Sequence, residues 1–146
     1  MIYIGCDHAG YDLKKVVMSY LEQNEIKYND LGCNGERCDY PDIASKVCEE
    51  VLENKDENLG ILICGTGIGM SMAANKFKGI RAAVCSDEYS AKYTRMHNDA
   101  NVLCMGARVI GSGLACEIAD MFLNTGFEGG RHQTRIDKIS EIENKQ

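Results

Sequence analysis

The chain has no tryptophan, a single proline and no cysteines spaced as CxxC, although it carries eight cysteines in 146 residues. The missing CxxC removes a common spacing of zinc sites and disulfide oxidoreductases. Cys6, Cys33, Cys38, Cys48, Cys64, Cys85, Cys104 and Cys116 include several in strand-like or helix-like apolar runs. Most therefore read as small core residues of a protein in the reducing cytoplasm. Positive charge is scarce: 16 Lys and Arg against 22 Asp and Glu leave a net charge of −6. That balance argues against a general nucleic-acid surface but not against a local basic pocket for a small anion. The stretch MIYIGCDHAG has no basic region followed by a long apolar segment, so no signal peptide is expected. No apolar run approaches the roughly 20 residues of a membrane span. Repeats and low-complexity segments are also missing, and a single domain over residues 1–146 is the expectation.

What is present is organised around Leu59–Asn75, LGILICGTGIGMSMAAN. Ile61-Leu62-Ile63-Cys64 reads as a buried strand. Gly65, Gly67 and Gly69 read as a tight turn, and Met70-Ser71-Met72-Ala73-Ala74 as a helix start. Glycine lets backbone N–H groups approach a ligand, and a helix N-terminus presents unpaired donors to an anion. Met70 stands where a dinucleotide fingerprint needs its third glycine, and no Gly-Lys-Ser/Thr follows for a Walker A loop. The thiol of Cys64 at the strand end and the hydroxyl of Thr66 in the turn point to proton transfer or nucleophilic chemistry beside an anion hole. The plain alternative is a glycine-rich turn that only packs.

Met1–Gly5, Ile26–Leu31, Gly60–Cys64, Ile80–Cys85 and Asn101–Met105 read as strands. Apolar spacing predicts helices over Tyr11–Gln23, from Asp39-Tyr40-Pro41-Asp42 onward, from the glycine turn to about Lys76, over Asp87–Arg95, Leu114–Asn124 and Gln133–Asn144. Met96–Ala100 reads as an exit loop. The alternation predicts a three-layer α/β/α, Rossmann-like fold: five parallel strands in the flavodoxin-like order 2-1-3-4-5, with a C-terminal helix.

That order makes strands one and three neighbours, so Asp7, His8, Cys64 and Thr66 should share a crevice at their carboxyl ends. For Asp7 a helix-capping role is an alternative that does not exclude a catalytic one. His97 precedes strand five and should lie at the opposite end of the sheet. It is either structural, which the residues alone favour, or it serves the crevice of another subunit. Arg131 and Arg135, four apart, fall on one helix face and suit a phosphate; the alternative is a solvated helix start. No ligand spacing supports a metal site from His8, His97 and the cysteines.

Five stretches together carry a resemblance: GCDHAGYDLK at 5–14, DYPD at 39–42, CGTGIGMSMAANK at 64–76, RMHNDANVLCMGARVIG at 95–111 and RHQTRI at 131–136. The sequence resembles the RpiB/LacAB family of sugar-phosphate isomerases, of the ribose-5-phosphate isomerase B type, over essentially its whole length. The resemblance implies a cofactor-free and metal-free aldose–ketose isomerase that interconverts D-ribose 5-phosphate and D-ribulose 5-phosphate. Cys64 would be the base that moves a proton between C2 and C1 through an enediolate, with Thr66 assisting. Some family members carry glutamate at the place of Met70 in place of the cysteine, so this chain is of the thiol type. Backbone groups of Gly65, Gly67, Ile68, Gly69, Met70 and Ser71 would hold the enediolate oxygen. His97 would open the furanose with help from Asp7, Tyr40 and Asn98 would touch the sugar, and His8, Arg108, Arg131 and Arg135 would hold the phosphate. The family implies a homodimer, or a dimer of dimers, in which His97 and Asn98 reach the partner's site. A helix N-terminus beside Cys64 favours a thiolate base. A hexose 6-phosphate isomerase of the galactose or allose 6-phosphate type, a binding module without chemistry and a thiol redox role are the alternatives. The presence of both the Cys64 and the His97 sets in one chain favours a self-sufficient homodimer.

Overall fold

The structure, a computed structural model, describes residues 1–146. Apolar runs too short for helices pair into one parallel sheet: β1 (Ile2–Cys6), β2 (Tyr28–Asp30), β3 (Leu59–Cys64), β4 (Ala82–Val84) and β5 (Val102–Gly106). Six α-helices connect and follow them: α1 (Tyr11–Gln23), α2 (Tyr40–Glu53), α3 (Ile68–Ala74), α4 (Glu88–Asn98), α5 (Ser112–Asn124) and α6 (Arg131–Asn144). The side chains of β3 alternate between two cores. Ile61 and Ile63 join a cluster with residues of α1 and α5, while Leu62 and Cys64 join one with residues of α2 and α3. Each fully buried aliphatic side chain, such as Ile4 or Leu21, contributes about 1.5–3 kcal/mol through its burial. No helix is long and apolar enough to cross a membrane.

The α/β/α sandwich of five parallel strands is the architecture expected, but the strand order is β2-β1-β3-β5-β4, not 2-1-3-4-5. β5 is buried at every position and pairs with β3 along five residues, Gly60↔Val102 to Cys64↔Gly106. β4 is three residues long and partly exposed, so it takes the edge. A strand flanked on both sides in a parallel sheet must be apolar throughout, and Val-Leu-Cys-Met-Gly meets that demand better than Ala-Ala-Val. The neighbours at the centre, β1 and β3, are as expected.

Several boundaries also move. β2 and β4 are shorter than the apolar runs that announce them. α4 continues through His97 and Asn98 until Asp99 adopts a left-handed φ of 44°, so these two residues sit on a helix and not in a loop. α6 begins at Arg131 instead of Gln133. α1 spans the expected residues, and α2 has its proline in the first turn.

Glycines let backbones meet where the strands end. A methyl group added to Gly106 would lie 2.7 Å from backbone atoms of Thr66, and one on Gly113 would meet nothing within 4 Å. Gly106→Ala should therefore lower folding stability by about 1–3 kcal/mol in a urea titration. Gly113→Ala should change it by less than about 1 kcal/mol.

Candidate active site

β3 delivers Cys64 to the carboxyl edge of the sheet, where only 5% of the residue remains exposed. The chain turns at once, with Gly67 at φ 80°, a conformation that side chains rarely adopt. The Gly67 N–H donates to the Cys64 Sγ at 3.1 Å. The Thr66 hydroxyl accepts from the Ile68 N–H at 3.3 Å, and the Ser71 hydroxyl donates to the Ile68 carbonyl at 2.8 Å. Gly69 lies against the ring of Tyr40, so close that a methyl there would stand 2.7 Å from the ring. Met70 is fully buried in the core beneath the turn.

Neighbouring strands complete this edge. The Asp7 N–H donates to the Ile63 carbonyl at 3.1 Å. The Asp7 carboxylate accepts from the Ala9 and Gly10 N–H groups at 2.9 and 3.1 Å, so it does cap the short turn His8–Gly10. His8 is exposed beside it. After β5, the Ala107 and Arg108 N–H groups donate to the carbonyls of Cys64 and Gly65 at 2.9 and 3.0 Å. The Arg108 guanidinium passes Gly65, 3.4 Å from where a side chain would begin. Asp7, His8, Tyr40, Thr66 and Arg108 thus surround Cys64.

The loop that brings Tyr40 into place is held by Lys14. Its ammonium is buried, and it donates at 2.7 Å both to the Asp30 carboxylate and to the Cys33 carbonyl. Burial pushes the thiols of Cys6 and Cys48 up to about 12 and that of Cys85 up to about 11, so these stay protonated at neutral pH.

His97 and Asn98 do not join this group. They lie on the last turn of α4, which leads into the amino end of β5. Five residues of β5, at about 3.3 Å each, put roughly 15 Å between the two edges. Arg131 and Arg135 share the first turns of α6 with His132, and Arg135 donates to the Arg131 carbonyl at 3.0 Å. The His132 ring stacks on His97 with centroids 4.0 Å apart and planes 11° apart. Glu128 Oε2 lies 3.4 Å from His97 Nε2 and 3.3 Å from His132 Nε2. The candidate residues thus form two sets at opposite edges of one chain. A cavity of about 620 Å³ lies between the α3–β4 turn and α6 and includes only Asn98 of the residues expected in the site.

Glu128 and His132 escaped the reading of the sequence as site residues. The signal was the Gly129-Gly130 pair, which turns the chain back toward α4. The donor atoms of His97, Glu128 and His132 all lie within 4.8 Å of one another, close enough to consider a metal ion. The near-parallel rings do not aim both Nε2 lone pairs at one point, so the set fits a shared carboxylate better than an ion.

Comparison with known proteins places this geometry in context. A family model described as Ribose/Galactose Isomerase matches residues 2–139. A putative sugar phosphate isomerase of Bacillus subtilis is 52% identical over 99% of this chain and 97% of its own length. The structure of Clostridium thermocellum ribose-5-phosphate isomerase B superposes with a TM-score of 0.95 at 50% identity, over 99% of this chain and 97% of that one. The Mycoplasma genitalium ribose-5-phosphate isomerase B, solved with bound ribulose-5-phosphate, gives 0.95 at 46% identity over the same shares.

The stacked histidines carry a pH signature. Burial, then the neighbouring His97 and Arg131, lower the His132 pKa below its ordinary 6.5. The folded state therefore holds fewer protons on this group than the unfolded chain, so its contribution is intact above about pH 6.5 and is lost as pH falls through the depressed value. Urea midpoints measured between pH 7.5 and 5 should fall less steeply for His132→Gln than for the unaltered protein.

Proposed function

The chain belongs to the ribose/galactose isomerase family, and from that premise we propose that it interconverts D-ribose 5-phosphate and D-ribulose 5-phosphate with Cys64 as the base. The observation that carries this reading is the Cys64 sulfur accepting the Gly67 N–H at 3.1 Å, in the glycine turn that leads into α3. An isomerase of this kind needs a base, donors for an enediolate oxygen and a grip on the phosphate. As thiolate, Cys64 takes the proton from C2 of the open-chain aldose and returns it to C1. The Thr66 hydroxyl assists the shift of the proton between O1 and O2. Backbone N–H groups from Gly65 to Ser71 stabilise the negative oxygen between the two transfers. No step requires a metal ion.

The second set enters from a partner subunit. His97 and Asn98 are too far from Cys64 in one chain, so two copies in a homodimer, or in a dimer of dimers, each complete the other's site. His97 then opens the furanose with Asp7, Tyr40 and Asn98 contact the sugar, and His8, Arg108, Arg131 and Arg135 grip the phosphate. Binding energy gained at the phosphate orients the reacting carbons. The eight free thiols support a cytoplasmic setting, and the non-oxidative branch of pentose phosphate metabolism is where this conversion belongs.

Two measurements test this reading. Turnover of ribose 5-phosphate in the presence of a chelator should persist, and Cys64→Ala should reduce it by about 10²–10⁴-fold. Cys64→Ala and His97→Ala proteins, each nearly inactive, should recover about a quarter of full activity once mixed and allowed to exchange subunits, since half of the dimers are then mixed and each holds one intact site. Silence in that mixture, with mixed dimers shown to form, would exclude the shared site.

A further inference from the structure

The segment between α5 and α6 is tied to the end of α4 twice. The Glu128 N–H donates to the Met96 carbonyl at 3.0 Å, and Arg95 Nε donates to the Thr125 carbonyl at 3.3 Å. Arg95 is in turn paired with Asp99 at 3.1 Å. Gly129 and Gly130, at φ 71° and 57°, then reverse the chain so that His132 lands on the His97 ring. Glu128 is exposed and fills no space in the core. Its carboxylate nevertheless stands over the Nε2 edges of both rings, placed there by its own backbone hydrogen bond.

We propose that Glu128 is a positioning residue for His97 in ring opening, an inference that rests on the isomerase reading above. The carboxylate occupies the Nε2 side of His97 and leaves Nδ1 for the sugar. Opening the furanose breaks the C1–O4 bond and makes the C1 carbonyl. His97 Nδ1 takes the proton from the anomeric hydroxyl as that carbonyl forms and gives it to O4, so one proton moves from O1 to O4 and the imidazole is restored. Between the two transfers His97 is an imidazolium. The groups facing it are Tyr93 on α4, edge-on at 5.0 Å, His132 on α6 with Arg131 and Arg135 beside it, and Glu128. Two guanidiniums and a second imidazole oppose a new positive charge, and the Glu128 carboxylate offsets it. The same carboxylate, 3.4 Å from Nε2, faces the edge of the ring away from Nδ1 and favours the orientation in which Nδ1 is left for the sugar.

Glu128→Gln tests this with two assays on one protein. Conversion of ribose 5-phosphate needs ring opening. Exchange of the C1 hydrogen of ribulose 5-phosphate with deuterated solvent does not, because phosphate on O5 keeps that ketose acyclic. The expected result is a kcat for conversion lowered by roughly 10–100-fold, KM within about twofold and exchange unchanged. Partial recovery in Glu128→Asp should accompany it. Equal losses in both assays, or no loss in either, would overturn the proposal. An unaltered protein that neither converts nor exchanges would instead overturn the isomerase reading on which it rests.

Discussion

The contact on which the rest of the site depends is the approach of Gly67 to the backbone of β5. A methyl on Gly67 would stand 2.9 Å from the Met105 carbonyl carbon, so only glycine admits the turn at this depth. The Gly67 N–H donates to the thiol sulfur, and the left-handed backbone that follows it turns the chain into α3. With another residue at this place the turn would lift away from the sheet, and Cys64 would lose both its donor and its cover. The remaining glycines of the edge serve the same tight packing. Gly106 admits Thr66, Gly69 admits Tyr40, and Gly10 fits against the Ile63 carbonyl. The crevice is assembled from backbones pressed together, and side chains are added around it.

The division of the candidate residues between two edges follows from the parallel sheet itself. Strand ends and helix ends lie on opposite sides in such a fold, so residues leaving a strand and residues leaving the next helix cannot meet within one chain. Cys64, Asp7 and Arg108 follow strands, whereas His97 and Asn98 end a helix. Arg131 and Arg135 obey the same rule, because they follow the end of α5, and the double-glycine turn keeps them beside the end of α4. A partner chain offers the direct route by which the two sets work on one ligand, and the proposed function depends on that route.

Local signals were legible in the sequence and through-space ones were not. The run Ile61–Cys64 with its three glycines announced strand, turn and helix because each step is a short-range demand. Tyr11–Gln23 was readable at both ends, since its apolar spacing starts and stops cleanly. The end of α4 was hidden because Asp99, not glycine, takes the left-handed conformation that stops it. The order of the outer strands was hidden because it depends on which strand can bear burial on all sides. The apolar character of β5 recorded that demand without announcing it. The Glu128–His97 contact had no local trace, since the two residues meet only after two helices have folded back.

The exchange of the outer two strands also decides which charged side chain stands beside the glycine turn. β4 is followed by Ser86 and Asp87, and the Asp87 carboxylate caps α4. β5 ends at Gly106 and is followed by Ala107 and Arg108. With β4 beside β3, the turn would face the Asp87 carboxylate. With β5 there, the neighbour is the Arg108 guanidinium, which passes Gly65. In a protein of net charge −6, a permutation of the sheet brings a guanidinium, and not a second carboxylate, beside the turn that follows Cys64, without altering the composition at all.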